Sequence, residues 1–282
     1  MIFNITTKNC RIGLTSLVRR NYSVSGNLVN VQKDDATGTS ILSMARPPVN
    51  GLNRELLVEL RESLNKAVQN KSRGVILTSS LPKIFSGGLD IMEMYKPDMK
   101  RAREFWNDLQ ETWMTLYGLT IPTAAAINGS SPAGGCLFAM ACEYRVFVEG
   151  KHQIGLNETQ LGIVAPIWFQ TSYIDTIGYR QSEQALLKGA QFSPQQALKI
   201  GLVNELVANK DDAIAMCQKY IESFANIPAM AREMTKYDLR NKRIAWLKEN
   251  REVDTKRFLD FIVSPKVQAA IGLYIQSLKQ KN

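Results

Sequence analysis

The sequence contains a single histidine, His152, and four cysteines with no Cys-x-x-Cys pair. One histidine excludes multi-histidine metal sites and leaves one candidate for any triad that needs an imidazole. Scattered cysteines argue against a zinc knuckle or a disulfide framework. No apolar run approaches the roughly 18 residues that a membrane span requires. The G-x-x-x-x-G-K-[ST] phosphate loop and the G-x-S-x-G nucleophile elbow are both missing. Acidic residues are absent from the first 33 positions, the first being Asp34.

What is present describes an ordinary globular chain. It has 282 residues, of which 45% are hydrophobic, and a mean hydropathy of −0.17. That is enough for one large domain or two small ones around a buried core. Lys and Arg number 35 against 26 Asp and Glu, a net charge of +9. Such an excess suits nucleic acid, an acidic ligand or a targeting segment. It is unevenly placed. Lys8, Arg11, Arg19 and Arg20 stand among Ser, Thr and interleaved apolar residues. A basic, hydroxylated, acid-free leader reads as a mitochondrial transit peptide over residues 1–22, which predicts a matrix protein. Arg11 breaks the apolar stretch a secretory signal needs. Loss of those four cations takes the +9 down by four to +5.

The rest of the chain alternates. Residues 28–33 and 39–44 read as strands around the Asp34–Gly38 turn. Asn53 can cap a helix with Leu56, Leu57, Leu60, Leu64, Ala67 and Val68 on its apolar face. Residues 74–79, 123–127 and 144–148 read as buried strands, with helices over 101–117 and near 134–142 between them. Alternation of this kind predicts an α/β fold with largely parallel pairing. From about residue 178 helix predominates, apart from a short strand at 205–207. Ser264-Pro265 opens a last helix. The predicted organisation is a core over 23–225 and a helical C-terminal segment over 226–282.

Three segments carry candidate chemistry. Phe85-Ser86-Gly87-Gly88-Leu89-Asp90 follows the 74–79 strand, and paired glycines let a ligand approach the backbone. Asn128 to Cys136 (N-G-S-S-P-A-G-G-C) links a strand to a helix start, where N–H groups lack partners. Two N–H groups from such loops can converge on one carbonyl oxygen. In the third segment, Ile154 to Ile163, Glu158 sits among Leu156, Leu161 and Ile163. Desolvation raises a carboxylate's pKa and makes it a better base. Each segment alone is a weak signal.

Together, R-G-V-I-L-T-S at Arg73–Ser79, F-S-G-G-L-D, P-A-G-G-C and I-G-L-N-E-T-Q-L-G-I resemble the crotonase (enoyl-CoA hydratase/isomerase) superfamily. The mitochondrial Δ3,Δ2-enoyl-CoA isomerase branch is the nearer match. The resemblance implies the crotonase (ClpP/crotonase-like) spiral of ββα units, with C-terminal helices that pack in trimers. It implies isomerisation of 3-enoyl-CoA to trans-2-enoyl-CoA in β-oxidation, with acyl-CoA as substrate and no cofactor besides. It places the oxyanion donors on the backbone N–H of Leu89 and Gly134, and the base on Glu158. Ser86, Gly87, Gly88, Leu89 and Asp90 would line the acyl-CoA site with Gly134 and Asn157, and Gly135 would let the helix start approach the thioester.

Hydratases of this superfamily carry a second glutamate directly after the Cys of their G-G-G-C motif. Here that position is Leu137. Hydration divides naturally between two carboxylates, whereas moving a double bond needs one, and the apolar Leu137 would exclude water. Gly87 and Ala133 also depart from common family residues, and neither disturbs the oxyanion hole. The alternatives are a dienoyl-CoA isomerase or thioesterase, an RNA-binding crotonase-fold protein, or a non-catalytic CoA-binding scaffold. The cations of 236–243 and 248–257 alternate with acids, which reads as a solvated helix surface rather than a nucleic-acid stripe. Met92, Met94, Trp106, Trp113, Trp168 and Phe169 are candidate tail contacts or ordinary core.

Overall fold

A computed structural model describes residues 20–22 and 28–280. Most of the expected leader, residues 1–19, lies outside the described residues; its last three form a short strand. The strands are β1 (Arg20–Tyr22), β2 (Val29–Asp34), β3 (Thr39–Met44), β4 (Gly74–Ser79), β5 (Lys83–Ile84), β6 (Thr123–Ile127), β7 (Gly129–Pro132), β8 (Tyr144–Val148), β9 (Ile154–Gly155) and β10 (Glu205–Val207). The helices are α1 (Arg54–Gln69), α2 (Met99–Tyr117), α3 (Gly134–Ala141), α4 (Ile167–Ile177), α5 (Tyr179–Lys188), α6 (Pro194–Lys199), α7 (Lys210–Glu222), α8 (Ala229–Glu249), α9 (Arg251–Ile262) and α10 (Pro265–Gln280).

Seven strands form the main sheet in the order β1-β2-β3-β4-β6-β8-β10. The first two pairings are antiparallel, and β3 onward is parallel. Period-two alternation explains why both faces are covered. Leu42, Leu77, Ala125, Ile127 and Phe147 face the main core with α1, α2 and α3. Ile41, Ile76, Ala124, Ala126 and Val146 face Ala213, Cys217 and Ile221 of α7. The Asn53 side chain caps α1 by accepting from Leu56 N–H. Leu56, Leu57, Leu60, Leu64 and Ala67 are buried as expected, whereas Val68 is left exposed at the helix end.

A second sheet, β5-β7-β9, is parallel throughout. The stretch that links a strand to a helix start in the sequence thus carries a strand of its own, β7 (G-S-S-P). Strands of two to four residues (K-I, G-S-S-P and I-G) are too short to show an apolar period, and only their neighbours define them.

The α8 reading needs correction. Its cations do not simply coat a solvated face. Lys236 is buried and pairs with Glu143 at 2.6 Å, and Arg232 also bonds Glu143. Arg240 donates to the carbonyls of Tyr117 and Ala141 and covers the Tyr117 ring. These groups satisfy carbonyl ends of α2 and α3, so charge in this stretch bolts α8 to the core. Among the described residues no single helix is long and apolar enough to cross a membrane; one bent pair, α9 with α10, meets the length and composition test.

Candidate active site

The parallel strands β3, β4, β6 and β8 all run the same way, so the segments that leave their C-terminal ends gather at one edge of the sheet. In open α/β sheets that edge is where ligands bind. Here it holds residues 45–53, 80–90, 128–134 and 149–158. A cavity of about 350 Å³ opens between them, lined by Arg46, Gly87, Leu89, Asp90, Ala133, Asn157 and Glu158 among others.

The Ser86–Asp90 loop is held by its own backbone. Gly87 N–H donates to Val49 O, Gly88 N–H to Ser86 Oγ, and Asp90 N–H to Leu52 O. The Leu89 N–H, between them, donates to no backbone acceptor among the described residues. Across from it, Gly134 opens α3, where a first-turn N–H has no intrahelical partner. The two groups are close neighbours. A Cβ on Gly134 would lie 3.3 Å from Leu89 N, and one on Gly88 would lie 3.3 Å from Gly134 N. The residue before Gly134, Ala133, holds φ 48° and ψ −120°, a region costly for a residue with a Cβ. Its N–H donates to Gly155 O, so β9 helps to fix the kink that aims the helix start. Two N–H groups from separate loops, without backbone acceptors among the described residues, make a site for a developing oxyanion.

Glu158 begins a 3-10 turn, Glu158–Leu161, that ends on left-handed Gly162. It is 5% exposed, and its Oε2 has no hydrogen-bond partner among the described residues. Burial pushes its carboxyl up to about 7, against a smaller pull from a backbone hydrogen bond. The turn is tied down from behind. Thr159 Oγ1 donates to Leu186 O and Gln160 Nε2 to Lys188 O, at the end of α5. In the N-E-T-Q run, the Thr and Gln therefore anchor while the Glu faces the cavity. Glu158 also borders a chamber of about 40 Å³ shared with Trp106, Phe169 and Phe258. Leu89, Met94, Glu158 and Ile163 line both spaces, so the chamber adjoins the main cavity at the carboxylate.

Leu89 and Glu158 line one cavity, and Gly134, itself off the lining, stands beside Leu89 N–H and directly after the lining residue Ala133. Gly87, Asp90 and Asn157 line the same cavity, and Asn157 Oδ1 is buried without a partner among the described residues. Ser86 does not reach in: it is fully buried, and its hydroxyl donates to Asn50 O while accepting from Gly88. It braces the loop. Gly135 lets the start of α3 pack closely on the Ser86 loop, since a Cβ there would sit 2.8 Å from Ser86 O. Leu137 is wholly buried in the main core and lines neither space, so it does not exclude water by contact at the cavity wall. Cys136 is buried, which pushes its thiol well above the ordinary range and removes it as a nucleophile. His152 lines neither space, and burial lowers its pKa.

Sequence reasoning missed Asn50, Arg46 and the C-terminal wall. Asn50 is buried and joins Ser79 Oγ, Phe85 O and Arg46 N–H in one network; a buried amide among loop residues carries no pattern in sequence. Arg46 is the cation of the cavity lining, held by Asp90 at 2.7 Å and by Gly51 O. Phe258, Phe261, Ile262, Val267 and Ile271 come from α9 and α10, a hundred residues from Glu158.

The chain matches the enoyl-CoA hydratase/isomerase family over residues 35–281. It is 41% identical over 273 residues to the mouse mitochondrial enoyl-CoA delta isomerase 1, covering 96% of this chain and 94% of the relative. The human protein of the same name is 39% identical over 255 residues, covering 90% and 84%. The crystal structure of human mitochondrial delta3-delta2-enoyl-CoA isomerase superposes with a TM-score of 0.87 at 38% identity, over 90% of this chain and 99% of that one. An enoyl-CoA hydratase from Bacillus halodurans shares the fold at a TM-score of 0.79 and 23% identity, over 87% and 99%. With both the motif-bearing loops and the whole length of the core matched, the chain belongs to the enoyl-CoA hydratase/isomerase family.

Proposed function

We propose that this chain is a Δ3,Δ2-enoyl-CoA isomerase of unsaturated fatty-acid β-oxidation, with Glu158 as its single base. The observation that carries the reading is one buried carboxylate, raised to about 7, beside the converging N–H groups of Leu89 and Gly134. The thioester carbonyl of a 3-enoyl-CoA accepts from those two donors. Glu158 removes a proton from C2, and the electrons move through the C2–C1 bond onto the carbonyl oxygen. The resulting dienolate oxygen is where both donors point. Each donor favours the dienolate over the ground-state carbonyl by about 3 kcal/mol, the usual value for an oxyanion hole. Glu158 returns the proton to C4, and the double bond settles between C2 and C3. Atoms and oxidation level are unchanged, so the reaction calls for no redox partner, and CoA enters as part of the substrate.

A base near 7 suits this work: it is ionised at mitochondrial pH yet holds a proton readily between the two carbons. The low-dielectric wall strengthens both the base and the donors. The basic leader and the mitochondrial relatives support import into the matrix. Exposed Met230, Met234 and Tyr237 recur at helical spacing along α8, which supports burial against further copies of this chain, as a homotrimer.

The test is turnover of 3-hexenoyl-CoA by the full chain, followed as conjugated product. Glu158→Gln is expected to bind acyl-CoA but to lower kcat by about 10²- to 10⁴-fold. Turnover near wild type in that variant would end the assignment of Glu158. Sedimentation gives the assembly: three copies are expected, and a monomer would refute the trimer.

A further inference from the structure

Asp254 is a buried carboxylate that the isomerisation does not use. It lies in the first turn of α9 and is 8% exposed. A single oxygen, Oδ2, accepts from Trp106 Nε1 at 2.8 Å, Gln110 Nε2 at 2.8 Å and Trp168 Nε1 at 3.2 Å. Burying a carboxylate is costly, and three charge-assisted donors offset that cost. An apolar residue would serve as a plain helix contact without it. The bonds instead fix orientation, because an indole N–H can reach its acceptor in only one ring setting.

Of the two rings so fixed, Trp106 is itself a wall of the chamber beside the base, and Trp168 backs another wall, Phe169. Trp106 stacks on Phe258 with centroids 3.8 Å apart and planes 9° apart. Phe258 stands one helical turn beyond Asp254 on α9. Trp168 meets Phe169 edge-on at 4.5 Å. Trp106, Phe169 and Phe258 bound the chamber of about 40 Å³ next to Glu158. A cavity that accepts benzene measures about 150 Å³, so this one admits only the first carbons of a tail unless the wall moves.

We propose that Asp254 is a specificity-setting positioning residue: by fixing Trp106 and Trp168 it holds Phe258 and Phe169 in place and keeps the acyl chamber short. Its consequence is a preference for short 3-enoyl thioesters over long ones. The proposal rests on the isomerase reading above.

The experiment compares kcat/KM for 3-hexenoyl-CoA and 3-dodecenoyl-CoA in the full-length wild type, Asp254→Ala, Asp254→Asn and Trp106→Phe. Wild type is expected to favour the shorter substrate. Asp254→Ala is expected to raise the long-to-short ratio about tenfold or more, the scale on which apolar pockets discriminate methylenes. The change should appear in KM for the long substrate, with kcat for 3-hexenoyl-CoA nearly kept. Asp254→Asn retains an accepting oxygen and is expected to restore most of the preference. Trp106→Phe keeps the stacked ring without its N–H and should shift the ratio the same way; it carries the test if Asp254→Ala fails to fold. A ratio unchanged within about twofold in a folded variant, or a wild type that favours the long substrate, would overturn the proposal. Lowered thermal stability with an unchanged ratio would make Asp254 a structural bolt. Failure of wild type to turn over 3-hexenoyl-CoA would instead refute the isomerase reading.

Discussion

Glu158→Gln should gain stability relative to the wild type as pH rises, even as it removes activity. In the unfolded chain this carboxyl ionises at its ordinary value of 4.5, whereas burial moves it to about 7 in the fold. Below 4.5 both states hold the proton, and the residue contributes no pH dependence. Between 4.5 and about 7 the unfolded chain ionises while the folded protein keeps its proton, so stability falls as pH rises. Above about 7 both are ionised and the deficit stays constant. At about 1.4 kcal/mol per pH unit, the deficit reaches about 3 kcal/mol. Glutamine carries no such deficit. It does bring an amide that must find partners, at a pH-independent cost of about 1–3 kcal/mol. The clean quantity is therefore the change with pH in the difference between the two proteins, in which every other titrating group cancels. Urea unfolding at fixed protomer concentration measures it. From about pH 5 to about pH 8.5 the difference should move by about 2–3 kcal/mol in favour of glutamine. A difference that stays flat with pH would refute the claim that burial strains the charged base.

Three further outcomes follow from the same geometry. The kcat/KM of wild type should rise about tenfold per unit on the acid side and level off above about pH 7, because the free enzyme must hold Glu158 ionised; a profile flat from pH 5 to 8 would contradict this. Gly135→Ala places a Cβ 2.8 Å from Ser86 O and 2.9 Å from Ser131 Oγ, which should spread the two donor loops and lower kcat by about 10²-fold, read by steady-state turnover. Leu137→Glu buries a carboxylate in the main core and should cost about 3 kcal/mol or more of stability without conferring hydration, read by denaturation and by loss of enoyl absorbance.

Much of the candidate site was legible because it depends on local chemistry. Gly87-Gly88 and Gly134-Gly135 stand where backbone groups must come close, and Glu158 stands among apolar neighbours. Buried strands such as Gly74–Ser79 and Thr123–Ile127 matched their observed ranges because an apolar run bounded by turn residues has few other uses. What depended on distant partners was not legible. Lys236 looked solvated until the fold brought Glu143 and two carbonyls to it. Leu137 looked like a cavity residue from its place in a motif, yet its side chain packs wholly into the core. Asp254 belongs to no motif, and its three donors lie 86 to 148 residues away.

The central claim is that one sealed carboxylate carries the proton from C2 to C4. It is tested most directly with 3-hexenoyl-CoA deuterated at C2, turned over by the full chain in ordinary water and analysed at early conversion. The account predicts product carrying deuterium at C4, because Glu158 is nearly closed to solvent while it holds the label. A C4 hydrogen drawn wholly from water at the earliest times would contradict it.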